Sequence, residues 1–133
     1  MSAVPDKAAD LQTALSHASQ LLESSPSLAA EQAQEILKVV PDQANALMFY
    51  ALAQGRLGNL QAAVDCLAKL CRLQPKWAAA HYELGLALWR TGQGDQAVIC
   101  IKKTLSQMPG LAKAWLSLAD LYSAMGDSPS ADR

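Results

Sequence analysis

The chain has 133 residues, a formal net charge of -1, about half apolar residues and few aromatic ones. That balance excludes the basic excess expected of a nucleic-acid binder. No apolar run approaches the ~20 residues needed to span a bilayer.

In chain order, the first segment, Met1 to Lys7, lacks the charged-then-apolar order of a signal peptide. The sequence then predicts seven helices, near 6–23, 27–39, 43–56, 60–73, 77–90, 94–107 and 111–125. Ser25-Pro26, Asp42, Asn59 and Asp95 mark helix starts with favourable capping types. Stops and turns come at fixed intervals. Pro41, Pro75 and Pro109 are spaced 34 residues apart, and so are Gly58, Gly92 and Gly126. The same step joins Ala29, Ala63, Ala97 and Ala131; Ala44, Ala78 and Ala112; Ala46, Ala80 and Ala114; and Ala51, Gly85 and Ala119.

A proline lacks the N–H that would continue a helix. A glycine accepts the left-handed conformation that closes a helix C-terminus. Recurring alanines let two helix backbones approach closely. The unit is therefore helix, Gly turn, helix, Pro stop. Its predicted core is Leu47, Tyr50, Ala51, Ala63, Leu67, Leu70, Leu84, Gly85, Leu88, Ala97, Ile101, Leu105, Trp115 and Leu118.

These residues resemble the tetratricopeptide repeat family, a 34-residue helical hairpin with a Trp, Leu-Gly, Tyr, Ala, Phe, Ala, Pro skeleton. His81 stands where Trp is common, followed by Leu84-Gly85, Leu88, Gly92, Ala97, Ile101 and Pro109, with Thr104 in place of the usual Ala. Tyr50-Ala51, Gly58, Ala63 and Pro75 precede in register, and Trp115, Leu118-Ala119, Tyr122 and Gly126-Asp127 follow. The first hairpin departs from the pattern, with Ser16-His17 where Leu-Gly is expected, as terminal caps often do.

The resemblance implies an all-α, right-handed superhelical solenoid of antiparallel hairpins, about three and a half units over 1–126. The units fall near 6–41, 42–75, 76–109 and 110–126, with 127–133 a tail or the start of a further helix at Ser128-Pro129. More loosely, the stretch from Leu73-Gln74-Pro75 to Ala131-Asp132 resembles the N-terminal repeat region of bacterial proteins in which a sulfotransferase-like domain follows. No phosphosulfate-binding loop is present in the sequence.

In such arrays the first helix of each hairpin lines the concave face. Helical spacing puts Asn45, Met48, Phe49, Leu52 and Arg56 on one inner stripe, then Ala79, Tyr82, Glu83, Leu86, Trp89 and Arg90, then Lys113, Leu116, Ser117 and Asp120. Aromatic anchors rimmed by Arg and Glu suit a peptide or partner domain. Two alternatives stand beside this. Phe49 and Trp89 could pack between neighbouring helices, and Arg56 and Arg90 could serve helix C-termini. Some members of the family grip a partner's terminal carboxylate with Lys and Asn, but here only Lys113 fits. The apolar face of the last helix, Trp115, Leu118, Leu121 and Tyr122, is predicted to continue into further chain or to pair with another copy.

The three cysteines, Cys66, Cys71 and Cys100, are odd in number and lie in apolar helices, so they read as small core residues of a reducing, cytoplasmic setting. No Cys-x-x-Cys pair, His cluster, Walker loop or Gly-x-Ser-x-Gly occurs, and Gly92-Gln93-Gly94-Asp95 is a turn and helix start. The sequence thus predicts a cytoplasmic, bacterial interaction scaffold that is no enzyme, with no cofactor, metal, nucleic-acid or membrane partner.

Overall fold

A computed structural model of the chain describes residues 7–126, with side chains from Asp10 onward. The readings at Ala131 and Ser128-Pro129 lie outside the described residues. Seven helices occur among the described residues: α1 (Lys7–Ser24), α2 (Pro26–Val39), α3 (Ala44–Arg56), α4 (Leu60–Leu73), α5 (Ala78–Arg90), α6 (Gly94–Gln107) and α7 (Ala112–Ala124). The described residues form no strand. None of their helices is long and apolar enough to cross a membrane.

Two local devices repeat and set the hairpins. Gly58, Gly92 and Gly126 take positive φ of 87°, 82° and 76°. This lets the Asn59 amide bond the Gln54 carbonyl at 2.9 Å and the Gln93 amide bond the Leu88 carbonyl at 2.9 Å. Those bonds capture carbonyls that the helix ends would otherwise leave unpaired. The prolines act at the opposite end. Val40, Gln74 and Met108 close their helices, and each carbonyl then accepts from the amide three residues on, at Gln43, Trp77 and Leu111 (all 3.1 Å). Proline holds the second turn position at its preferred φ.

Capping differs in detail from the sequence reading. Gln43, not Asp42, caps α3, its Oε1 accepting from the Ala46 amide at 2.8 Å. Ser25 stands before α2 without a side-chain cap, and Pro26 supplies the first turn. Asp95 lies inside the first turn of α6, one residue after Gly94 begins the helix.

The chain divides into two compact units, Met1–Cys66 and Leu67–Arg133. In the first, Leu22, Ala29, Ala30 and Ala53 form one buried cluster and Leu15, Ile36 and Ala46 another. Phe49 packs against both. In the second, Leu70, Ile101, Thr104 and Leu121 are almost fully enclosed. Thr104 is tolerated there because its hydroxyl donates to the Cys100 carbonyl at 3.1 Å. A Cβ added at Gly85 would come within 2.7 Å of Ile101 Cδ1, so glycine permits the close α5–α6 approach.

The predicted core holds at most positions. Tyr50 and Leu84 are only half-buried, and Trp115 is 53% exposed. Trp115 is exposed because none of the described helices covers that side of α7.

Candidate functional site: the inner faces of α1–α3 and α5–α7

In the first unit, a hollow of about 390 Å³ opens between α1 and α3. Its α3 wall is Asn45 and Phe49, both on the predicted inner stripe. Asn45 is exposed, and Phe49 is half-buried because its ring base rests on the two core clusters. The α1 wall is Gln12, Leu15, Ser16, Ser19 and Gln20, none of which the sequence reading placed there. The signal was present. Residues 12, 16, 19 and 20 follow helical spacing, but the irregular first hairpin hid its register.

The rest of the first stripe serves the fold. Met48 is buried at 6% exposure, so it lies beneath the surface and not on a groove wall. Leu52 is half-buried against the Leu22 cluster. Arg56 Nη1 donates to the Leu22 carbonyl at 2.6 Å and to Glu23 Oε2 at 3.1 Å. Its guanidinium thus closes the last turn of α1, where exposed carbonyls and the helix dipole favour a cation.

In the second unit, Tyr82 is buried at 8% exposure, again inside and not on the groove surface. Its hydroxyl lies 3.1 Å from Ser117 Oγ on α7, and the Lys113 ammonium stands 4.8 Å from the ring centroid. Tyr82, Lys113 and Ser117 therefore close the space between α5 and α7. Around them, Glu83, Leu86 and Trp89 are half-buried, while Arg90 and Asp120 are exposed.

A larger apolar hollow of about 540 Å³, unforeseen from sequence, lies between α1 and α2. Leu11, Ala14, Ile36, Val39 and Val40 line it, with Asp10, Gln32 and Glu35 also contributing.

His81 and Trp115, equivalent positions of successive hairpins, share one job. His81 Nε2 lies 2.8 Å from the Pro75 carbonyl, and Trp115 Nε1 donates to the Pro109 carbonyl at 2.8 Å. A carbonyl only accepts, so His81 carries its proton on Nε2.

Two of the thiols, Cys71 and Cys100, are held in neutral form. Burial pushes Cys71 up to about 11, helped by the neighbouring Cys100, and burial also raises Cys100. Cys66 donates its S–H to the Leu47 carbonyl at 3.2 Å. A protonated thiol is a poor nucleophile and a poor metal ligand. Among the described residues, no group of three His, Cys, Asp or Glu side chains is placed to hold a metal ion.

Hairpins of this length, closed by Gly turns and Pro stops, define a class of helical repeat. The family profile described as "TPR repeat" matches residues 56–92. A crystal structure of MamA aligns with a TM-score of 0.79 at 27% identity, over 87% of this chain and 64% of that one. The O-GlcNAc transferase of Thermobaculum terrenum aligns with a TM-score of 0.83 at 28% identity, over 90% of this chain and 23% of that one. Human "FK506-binding protein-like" is 41% identical over 68 residues, 51% of this chain and 20% of that protein. The chain thus spans only part of each of these proteins. Residues 56–92 match the tetratricopeptide repeat family, and the fold is an all-α array of tetratricopeptide units.

Proposed function

We propose that the chain is a protein-interaction scaffold whose α1–α3 hollow takes a peptide segment of a partner. The observation that carries this is the lining of that hollow. Gln12, Ser16, Ser19, Gln20 and Asn45 surround Phe49 and are all neutral donors and acceptors. Such side chains match the amide and carbonyl groups of a peptide backbone, while the ring offers an apolar anchor. With no charged residue in the lining, binding depends little on salt. The α5–α7 face is a second, separate contact strip, offering Leu86 and Trp89 with Glu83, Arg90, Lys113 and Asp120.

Peptides selected against the immobilised chain test this. Amide NMR shifts on adding a selected peptide are expected at α1 and α3. The exposed-residue variants Gln20→Ala and Asn45→Ala together are expected to weaken binding about tenfold, the equivalent of ~1.4 kcal/mol. Peptides that bind both forms equally, or that shift only other helices, would refute the assignment.

A second reading rests on coverage. The array is matched inside much longer proteins, filling 20% of one and 23% of another. It is therefore also proposed as an accessory domain of a larger protein. A downstream sulfotransferase-like domain rests on the sequence resemblance alone, and sequencing the native transcript past the Arg133 codon tests it.

A further inference from the structure

The predicted oligomer face of α7 needs correction. Leu118 and Leu121 turn inward, at 8% and 0% exposure, because Ala114, Leu118 and Leu121 form the stripe that α7 buries. Of the four residues only Trp115 and Tyr122 stay toward the surface. A continuous apolar face runs instead along the α1–α2 hairpin. At one end is the hollow of about 540 Å³, where Leu11 and Ala14 of α1 face Ile36, Val39 and Val40 of α2. A further hollow of about 390 Å³ continues it between Leu21 of α1 and Leu28 of α2. Gln32 and Glu35 line both, so the two form one groove. The described residues leave Leu28 49% and Val39 80% exposed along it.

The edges of this groove are acidic. Asp10 stands on the α1 side, and Glu31 and Glu35, one turn apart, stand on the α2 side. Among the described side chains of α1 and α2, Lys38 is the only lysine or arginine. Its ammonium lies 2.9 Å from Glu35 Oε2, with the two side chains 69% and 66% exposed. A pair that open to water is weak, so Glu35 can exchange Lys38 for another cation.

We infer that the α1–α2 groove takes one amphipathic helix of a partner protein, apolar along one stripe and carrying Lys or Arg on both flanks. The span from Leu28 to Val39 is about 17 Å at the rise of an α-helix, which matches three turns of a bound helix. A helix laid between α1 and α2 sets its apolar stripe on Leu11, Ile36 and Val39, and its two flanks over Asp10 and over Glu31 and Glu35. Acidic flanks would be repelled there, and neutral ones would cover carboxylates without pairing them. An extended segment fits less well, because its N–H and C=O groups would lie unpaired on an apolar floor, whereas a helix satisfies its own. The α1–α3 hollow differs in both respects, being lined by neutral amides and hydroxyls. Gln12, Ser16, Ser19 and Gln20 stand about half a turn of α1 away from Asp10, Ala14 and Leu21, so the two sites are separate.

Fluorescence anisotropy of the purified chain with three synthetic peptides of about 14 residues tests this. The first is a helix with a leucine stripe flanked by lysines, the second has glutamate at each lysine, and the third scrambles the first. The lysine-flanked helix is expected to bind about tenfold more tightly than either of the others and to shift the amide NMR signals of α1 and α2. Glu31→Lys with Glu35→Lys is expected to reverse the preference in favour of glutamate. Val39→Lys, at an exposed helix end where a cation is favoured, is expected to abolish binding of the lysine-flanked helix at an unchanged melting temperature. Gln20→Ala with Asn45→Ala is expected to leave this binding unchanged, which separates it from the α1–α3 hollow. Equal binding of the lysine and glutamate peptides, equal binding of the scrambled one, or shifts confined to other helices would overturn the proposal. So would a melting temperature that falls on Val39→Lys, since the chain's own residues would then cover the groove. A mass of twice 14.2 kDa that Val39→Lys abolishes would give the groove to a second copy and equally overturn it.

Discussion

The α1–α3 face and the α5–α7 face are each formed by the first helices of two neighbouring hairpins but have opposite characters. Between α1 and α3, Phe49 stops half-way and neutral amides and hydroxyls leave a hollow of about 390 Å³. Between α5 and α7, Tyr82 fills the space, its hydroxyl on Ser117 and its ring beneath Lys113. Met48 and Tyr82, one repeat apart, are both buried. Periodicity therefore tells which positions meet the neighbouring helix. The size and polarity of the side chains there decide whether a recess remains.

Removing the filler should erase the difference. Tyr82→Ala is expected to open a hollow on α5–α7 and to cost ~3–5 kcal/mol, read by urea unfolding. Tyr82→Phe keeps the ring and is expected to cost only ~0.5–1.5 kcal/mol, since it removes one hydrogen bond. Equal losses in the two variants would mean that the hydroxyl, and not the ring, holds α5 to α7.

A smaller effect is expected at Gly85, which sets how closely α6 approaches α5. Gly85→Leu drives a side chain into Ile101 and is expected to cost ~1–3 kcal/mol. In Gly85→Ala two terms oppose each other. Helix propensity gains ~1 kcal/mol over glycine, while Ile101 Cδ1 must move from 2.7 Å, so the thermal midpoint should change little. A loss of several kcal/mol for alanine would show that Ile101 has nowhere to go.

The smallest effect lies at alkaline pH. The folded chain holds the Cys71 proton up to about 11, against an ordinary value of 9.0. The folded state therefore binds the proton more tightly than the unfolded one. The resulting stability is complete below pH 9 and is lost as pH rises toward 11. Cys71→Ala should flatten that alkaline decline in a series of unfolding curves. An unchanged decline would assign it to other groups.

Much of the fold was legible because its signals are local. The seven helices lie within one residue of the boundaries expected from proline, glycine and capping positions. The positive φ at Gly58, Gly92 and Gly126 follows from the absence of a Cβ, which needs no tertiary information. The faces were harder. Asn45 and Phe49 could be placed on an inner stripe, but Gln12, Ser16, Ser19 and Gln20 sit in the hairpin whose motif is broken. Arg56 looked available for a ligand until α1 brought the Leu22 carbonyl to it across 34 positions of chain.

The sequence by itself determined the number, length and connection of the helices, and the small residues at which they touch. Hydrogen bonding within a turn and the reach of one side chain fix those features over a few residues. Only the tertiary structure decided that Met48 and Tyr82 are interior, that Arg56 closes α1, and that α7 turns Trp115 and Ala119 outward while burying Leu118 and Leu121. Those outcomes depend on helix rotation, and a stripe on a 3.6-residue period is broad enough to allow several rotations until neighbouring helices select one.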